Sequence, residues 1–259
     1  MDAVERFAAL MSGRGPGPPL DVGALAIAAG ADPALEPAVW LAELDRLAEG
    51  IDSLELLVRR LFVEEGFTGN AADYYDPRNC MLDQVLMRRL GIPITLAVVC
   101  IEVGRRAGVS LEGVGMPGHF LVRPVGVDRY LDVFAGGVFL DLRECEARFR
   151  SATGAGPEIA FGRHLLTTAP TRSILVRILA NLRGIYRRRG QAADLEWVLR
   201  MRLALPGVTA AELVELGHAM GQQGRYLDGA IFLETQADEY PHWAQVLRPA
   251  ARALRAYLN

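Results

Sequence analysis

The sequence predicts an α+β fold. Helices open the chain, a small antiparallel sheet sits against one buried central helix, and helical hairpins close it. Three observations carry this. Apolar residues recur at helical spacing over residues 20–29, 35–48 and 53–65, and again from Thr171 onward. Between these regions, residues 111–140 hold short runs of β-branched and aromatic residues broken by proline and glycine. The stretch IPITLAVVCI is apolar nearly all round, as a helix enclosed by protein should be.

In chain order, the segment MDAVERFAALMSGRG is amphipathic, and the loops GRGPGPPL and AGADP separate the first helices. Asp52 and Ser53 cap LELLVRRLF. After a polar loop, Asn79 is placed to cap a helix over residues 80–90, which Gly91 ends. Pro93 then opens the central helix, where its missing N–H costs nothing, and Gly108 stops it after Ala107. Strands are expected over 111–115, 118–123, 129–134 and 138–140, with PVGVD turning the middle pair into a hairpin. A helix over 142–149 leads into SATGAGP. Helices then follow over 172–188, 192–204, 210–222, 226–239 and 243–258. Two adjacent segments, NLRGIYRRRGQAADLEWVLRMRLALP and ELGHAMGQQGRYLDGAIFLETQADEYP, share a helix–turn–helix plan, at an offset close to the tetratricopeptide period of about 34 residues. An ordinary pair of helical hairpins fits the same pattern.

The 259 residues, 51% hydrophobic and 23% charged, suffice for a sizeable core. A net charge of −3 gives no electrostatic case for nucleic acid or an anionic membrane. Every basic residue other than histidine is an arginine, which fits a GC-rich bacterial coding bias. IPITLAVVCI is about half the length that spans a bilayer. The N-terminal segment carries acids and does not resemble a signal peptide. Cys80, Cys100 and Cys145 are odd in number and lack metal-ligand spacing. His164, His218 and His242 fall in separate segments. The expectation is a cytoplasmic protein with reduced thiols, no structural metal and no cofactor.

The hairpin MPGHFLVRPVGVDRYLDVF carries His119 on one strand and Asp132 on the other. With the turn centred between Val125 and Gly126 the two stand directly opposite, Cβ atoms roughly 5 Å apart on one sheet face. Asp132 then orients the imidazole and leaves one nitrogen free as a base, two thirds of a nucleophilic triad. A histidine and carboxylate paired for structure alone give the same pattern. A slip by one residue turns Asp132 to the other face.

The runs YYDPRNCMLDQVLMRRLGIPITL, GRRAGVSLEGVGMPGHFLVRP and YLDVFAGG, with TRSILVRILANLRGIYRRRG further on, resemble the SirB1 family. That resemblance implies a papain/transglutaminase-like core and a tetratricopeptide-like tail. It also implies a division into an N-terminal helical segment (1–67), the core (68–165) and the helical tail (166–259). In the wider fold a cysteine at the start of the central helix acts with a histidine and an aspartate on neighbouring strands. His119 and Asp132 match the last two, but the cysteine position falls at about Ile94. Cys80, beside Asn79 and Arg78 at a predicted helix start that favours the thiolate, is the alternative nucleophile. A capping neighbour where the family commonly has serine is the plainer account of Cys80. Thr95 is read as a helix-start residue, Cys100 as a small buried hydrophobe and Cys145 as a surface or half-buried helix residue. Glu102 needs a partner on its buried helix, and Arg105 and Arg106 stand at the right spacing.

Two functions follow. One is a degenerate, non-catalytic core whose helical tail binds a protein or peptide. The other is a cysteine hydrolase or acyltransferase acting on amides, with Cys80 as nucleophile, His119 as base and Asp132 orienting it.

Overall fold

The computed structural model describes residues 1–13 and 17–258. Residues 14–16, inside the expected loop GRGPGPPL, lie outside the described residues. The elements are α1 (Ala3–Met11), α2 (Leu20–Ala28), α3 (Pro37–Ala48), α4 (Leu54–Val58), β1 (Thr68–Gly69), α5 (Leu82–Arg88), β2 (Leu90–Gly91), α6 (Pro93–Arg106), β3 (Leu111–Met116), β4 (His119–Pro124), β5 (Tyr130–Asp132), β6 (Val138–Leu140), α7 (Leu142–Thr153), β7 (Thr167–Thr168), α8 (Thr171–Arg189), α9 (Ala192–Leu203), α10 (Ala210–Gln222), α11 (Tyr226–Glu239) and α12 (Ala244–Arg255). The expected α+β architecture is present. Contacts group the chain into two compact units, Gly15–Ile178 and Met1–Arg14 with Leu179–Asn259.

The Gly15–Ile178 unit holds the sheet, a five-stranded array in the order β6-β5-β4-β3-β7 whose pairings are all antiparallel. β1 and β2 form a separate two-residue parallel pair. These pairs and β7 are too short to carry a period of two, so no sequence pattern announces them. β3 and β4 are joined by Pro117–Gly118 with Met116 paired to His119. Gly118 sits at φ +75°, the left-handed conformation that glycine supplies at the second turn position after proline.

Residues 119–122 are buried throughout, because β4 is covered on both faces. On one face Val114, Met116, Leu121, Tyr130 and Leu140 pack with Cys145 and Phe149 of α7 and with Leu166. On the other, Leu111 meets Gly104 of α6, and Gly113 leaves room for the Phe120 ring and Ile174. α6 starts with Pro93 at its first position and buries most of its length, as its composition predicts. Ser53 caps α4 through the Leu56 amide, and the helix then widens into a π-helical segment, Arg59–Glu64.

In the other unit α9 packs on α10, α10 on α11 and α11 on α12. Its core is Leu213, Ala230, Leu233, Ala237, Leu247, Ala251 and Leu254. A Cβ at Gly229 would lie 2.6 Å from the Gly217 carbonyl oxygen, so α10 and α11 approach backbone to backbone there. Among the described residues no helix is long and apolar enough to cross a membrane.

Candidate active site

His119 opens β4 directly after the Pro117–Gly118 turn and is 8% exposed, and Asp132 ends β5 at 1%. The two do not stand directly opposite as the hairpin predicts. The turn is centred where expected: Val127 N–H donates to the Pro124 carbonyl at 3.2 Å, and Gly126 takes φ +77°. Asp128 and Arg129 then loop out before β5 begins, with Asp128 accepting from the Tyr130 hydroxyl at 2.9 Å. Val122 therefore pairs with Leu131, two residues out of the simple register. A shift of two keeps side chains on the same face, so His119 and Asp132 meet diagonally across the strands.

The contact is a hydrogen bond of 3.0 Å between His119 Nε2 and Asp132 Oδ1. A carboxylate oxygen only accepts, so Nε2 carries the proton in this bond. Nδ1 has no partner among the described residues. The same Oδ1 accepts from the Phe134 and Ala135 amides at 3.1 Å each, a local turn that fixes the carboxylate. Oδ2 is buried without an aligned donor, although Arg148 Nε of α7 lies 3.0 Å away and supplies charge. Burial pushes the Asp132 carboxyl up. The bond from His119, the charges of His119 and Arg148, and the Ala135 amide outweigh it and hold the carboxyl below its ordinary range.

An aromatic edge flanks the pair. The His119 and Phe134 rings meet edge-to-face at 6.4 Å, Phe134 and Tyr74 at 5.9 Å, and Tyr74 and Tyr75 at 5.3 Å. Phe134 lies over Gly69 of β1, where a Cβ would fall 2.4 Å from the ring. Gly69→Ala should therefore displace Phe134 and cost about 1–3 kcal/mol by overpacking. Urea denaturation and the ring-current shift of the His119 protons read the two effects. An unchanged spectrum would show that the ring does not depend on the glycine.

Cys80 does not start a helix. It ends a 3₁₀ turn, Pro77–Cys80, and α5 begins at Leu82. Asn79 is buried and does not cap a helix. Its Nδ2 donates to the Asp73 carbonyl at 2.7 Å and the Tyr74 carbonyl at 3.3 Å, and its Oδ1 accepts from Asn70 Nδ2 at 3.1 Å. Asp76 takes the capping role instead, accepting from the Arg78 amide, because proline at the next position starts the turn three residues earlier. Arg78 also turns its guanidinium to Asp76, 2.8 Å away, and not to the thiol. Burial, aided by Asp76, pushes the Cys80 thiol far above its ordinary range. No hydrogen bond joins Cys80 to His119 among the described residues, and Cys80 is 1% exposed.

At the start of α6, Ile94 and Thr95 are buried. Thr95 Oγ1 accepts from the Ile92 amide at 3.2 Å and donates to the Asn79 carbonyl at 2.6 Å, the structural role expected of it. Burial pushes Cys100 up to about 12, and burial with Asp141 does the same to Cys145. Cys145 is fully buried and not the surface or half-buried residue that the sequence suggests, because α7 packs it against the sheet with Val114, Leu121 and Tyr130. Among the described residues no three His, Cys, Asp or Glu side chains converge as a metal site. Arg148 and Phe134 join the site without any sequence signal: one is an arginine among many in an exposed-looking helix, the other an aromatic in a strand end.

Similarity to known proteins runs over the same residues. A family model described as the transglutaminase-like superfamily matches residues 31–180, which include His119, Asp132, Arg148 and Cys80. A UPF0162 protein of Xylella fastidiosa is 50% identical over 131 residues, 49% of this chain and 47% of that protein. A UPF0162 protein of Pseudomonas aeruginosa is 35% identical over 187 residues, 67% of each chain. F-box only protein 21 of Homo sapiens is 30% identical over 158 residues, 57% of this chain and 23% of that protein. The match thus spans about half the length of the Xylella relatives. No solved structure matches.

Proposed function

We propose that this chain, which belongs to the transglutaminase-like superfamily, is a non-catalytic SirB1-like member that binds a protein or peptide partner. One observation carries the reading: among the described residues His119 has a ring nitrogen without a partner, but no activated nucleophile accompanies it. Burial and Asp76 raise the Cys80 thiol, so it stays protonated at neutral pH, whereas the thiolate is the attacking species. The Thr95 hydroxyl is committed to backbone groups. Without a nucleophile, most of the rate of a triad is gone. The His119–Asp132 pair then serves as a rigid polar element of the fold.

The binding role draws support from the C-terminal helices. Their successive pairwise packing follows the plan of tetratricopeptide-like arrays, which present extended faces to peptides. Leu227 and Ile231, one turn apart on α11, are 45% and 48% exposed. In F-box only protein 21 the matching region occupies 23% of the chain, so the same core works there within a larger protein.

A second reading keeps the chemistry. Burial and then the nearby Cys80 push the Tyr74 hydroxyl up, and the Tyr74 ring leads through Phe134 to His119. On that reading the Cys80 sulfur bonds to an amide carbonyl carbon as His119 takes the thiol proton at Nδ1, and Asp132 orients the ring. The C–N bond then breaks as His119 returns that proton to the leaving amine, and water hydrolyses the thioester.

Iodoacetamide labelling of the native protein against pH separates the two. Slow labelling of Cys80 is expected, with no low-pKa step and no change in His119→Ala. A fast, low-pKa phase that Cys80→Ser removes and His119→Ala shifts upward would overturn the non-catalytic reading in favour of the hydrolase.

A further inference from the structure

We infer that a cleft beside α6 binds a small amphiphilic cation, an ammonium carried on an apolar stem, with Glu102 as its counter-charge. The cleft measures about 430 Å³ and includes none of His119, Asp132, Tyr74 or Phe134. That volume falls in the range of small-ligand pockets. Leu20, Ile101, Leu111 and Ile174 give it aliphatic walls, and Glu102 and Glu112 bring carboxylates to it.

Glu102 is 2% exposed, and a carboxylate so buried needs partners for its charge. Its Oε2 has them: Arg105 Nε at 2.8 Å and Arg106 Nη1 at 2.9 Å. Its Oε1 has none among the described residues, yet it is not sealed from solvent. Glu102 lines the cleft, so a ligand bound there would find in Oε1 its available acceptor.

The surrounding charges favour a cation. Asp21, 1% exposed, accepts from Arg106 Nη2 at 2.6 Å, and Asp45 takes Arg106 Nε at 2.6 Å. Three carboxylates thus share Arg105 and Arg106. Arg105 is 56% exposed and screened by water, so Arg106 is the buried counter-charge for two buried carboxylates. Burial and the neighbouring Asp21 push the Glu102 carboxyl up, the response of a site with surplus negative charge. Glu112 adds another carboxylate, with one oxygen on Arg123 Nε at 2.5 Å. Arg105 lines the cleft as well, yet the carboxylates of Glu102, Glu112, Asp21 and Asp45 outnumber the guanidiniums of Arg105, Arg106 and Arg123 by four to three, and an ammonium can meet Oε1 with neither Arg105 nor Arg106 moved. The four aliphatic walls call for the apolar stem.

The test uses methyl-labelled full-length protein titrated with hexylammonium, hexan-1-ol and hexanoate. Hexylammonium should shift the Ile101, Leu111 and Ile174 methyl signals saturably, at least about tenfold more tightly than either analogue. Glu102→Gln should weaken it by about the same factor, and Ala169→Phe, which adds bulk to the lining without touching a charge, should also weaken it. Equal binding of the alcohol, preference for hexanoate, or hexylammonium affinity unchanged in Glu102→Gln would overturn the assignment. If Glu102→Gln does not fold, the three ligands on the wild-type protein still decide it.

Discussion

Replacing Asp132 by alanine is expected to destabilise the fold by about 1–3 kcal/mol, the range for leaving a buried donor without its acceptor. One oxygen of Asp132 serves the His119 ring and two backbone amides, and the other lies beside Arg148. Alanine leaves the buried His119 ring without its acceptor, whereas the exposed Ala135 amide and the half-exposed Arg148 can turn to water. Urea denaturation measures the loss, and a change below about 1 kcal/mol would show that water replaces the carboxylate at little cost. Asp132→Asn isolates the charge, because the amide oxygen can still accept from the three donors.

The acid limb of stability gives an independent check. The folded carboxyl is held below its unfolded value of about 3.9. The unfolded chain therefore takes up the proton first as pH falls, so stability rises with pH through this window. The contribution is complete above about pH 4 and is lost as pH falls through the folded value. Wild-type protein should lose stability below about pH 4 more steeply than Asp132→Asn, and the two curves should run parallel above it. Parallel curves at every pH would mean that the pair holds no charge-dependent stability.

Asn79→Ala is expected to cost about 1–3 kcal/mol, since it strips partners from the buried Asn70 amide and from two part-buried carbonyls. The groups are the carbonyls of Asp73 and Tyr74 and the Asn70 amide. Because these bonds hold the loop that carries Tyr74 and Cys80, the variant should also label faster at Cys80 with iodoacetamide under native conditions. Asn79→Asp should not rescue it, because a carboxylate would face two carbonyl oxygens where Nδ2 now donates. Destabilisation without faster labelling would detach Asn79 from the order of the loop.

Much of this molecule can be read from periodicity and turn chemistry. α6 begins at Pro93 and ends before Gly108, and β6 covers residues 138–140, as their local signals predict. The face shared by His119 and Asp132 was also legible, since Pro124 to Val127 forms the expected turn. The exact partner was not. Asp128 and Arg129 loop out because Asp128 has a hydroxyl donor in Tyr130, and nothing local distinguishes those two residues from strand. Asn79 shows the same limit from another side. Its sequence context matches a helix cap, but Asp76 and Pro77 start a tighter turn three residues earlier and release its amide for the loop.

What the sequence determined by itself was the α+β class, the buried central helix, and a histidine and aspartate on one sheet face, because each rests on spacing along the chain. Tertiary structure alone decided the electrostatic state of the thiols and carboxylates. Cys80 reads in the sequence as a helix start that would favour the thiolate, yet it ends a 3₁₀ turn where burial and Asp76 keep it protonated. Glu102 finds the two arginines that its helix spacing offers, yet keeps one oxygen available at a cleft whose walls come from distant segments. Desolvation and charge depend on every neighbour within several ångströms, and those neighbours are set by packing, not by order along the chain.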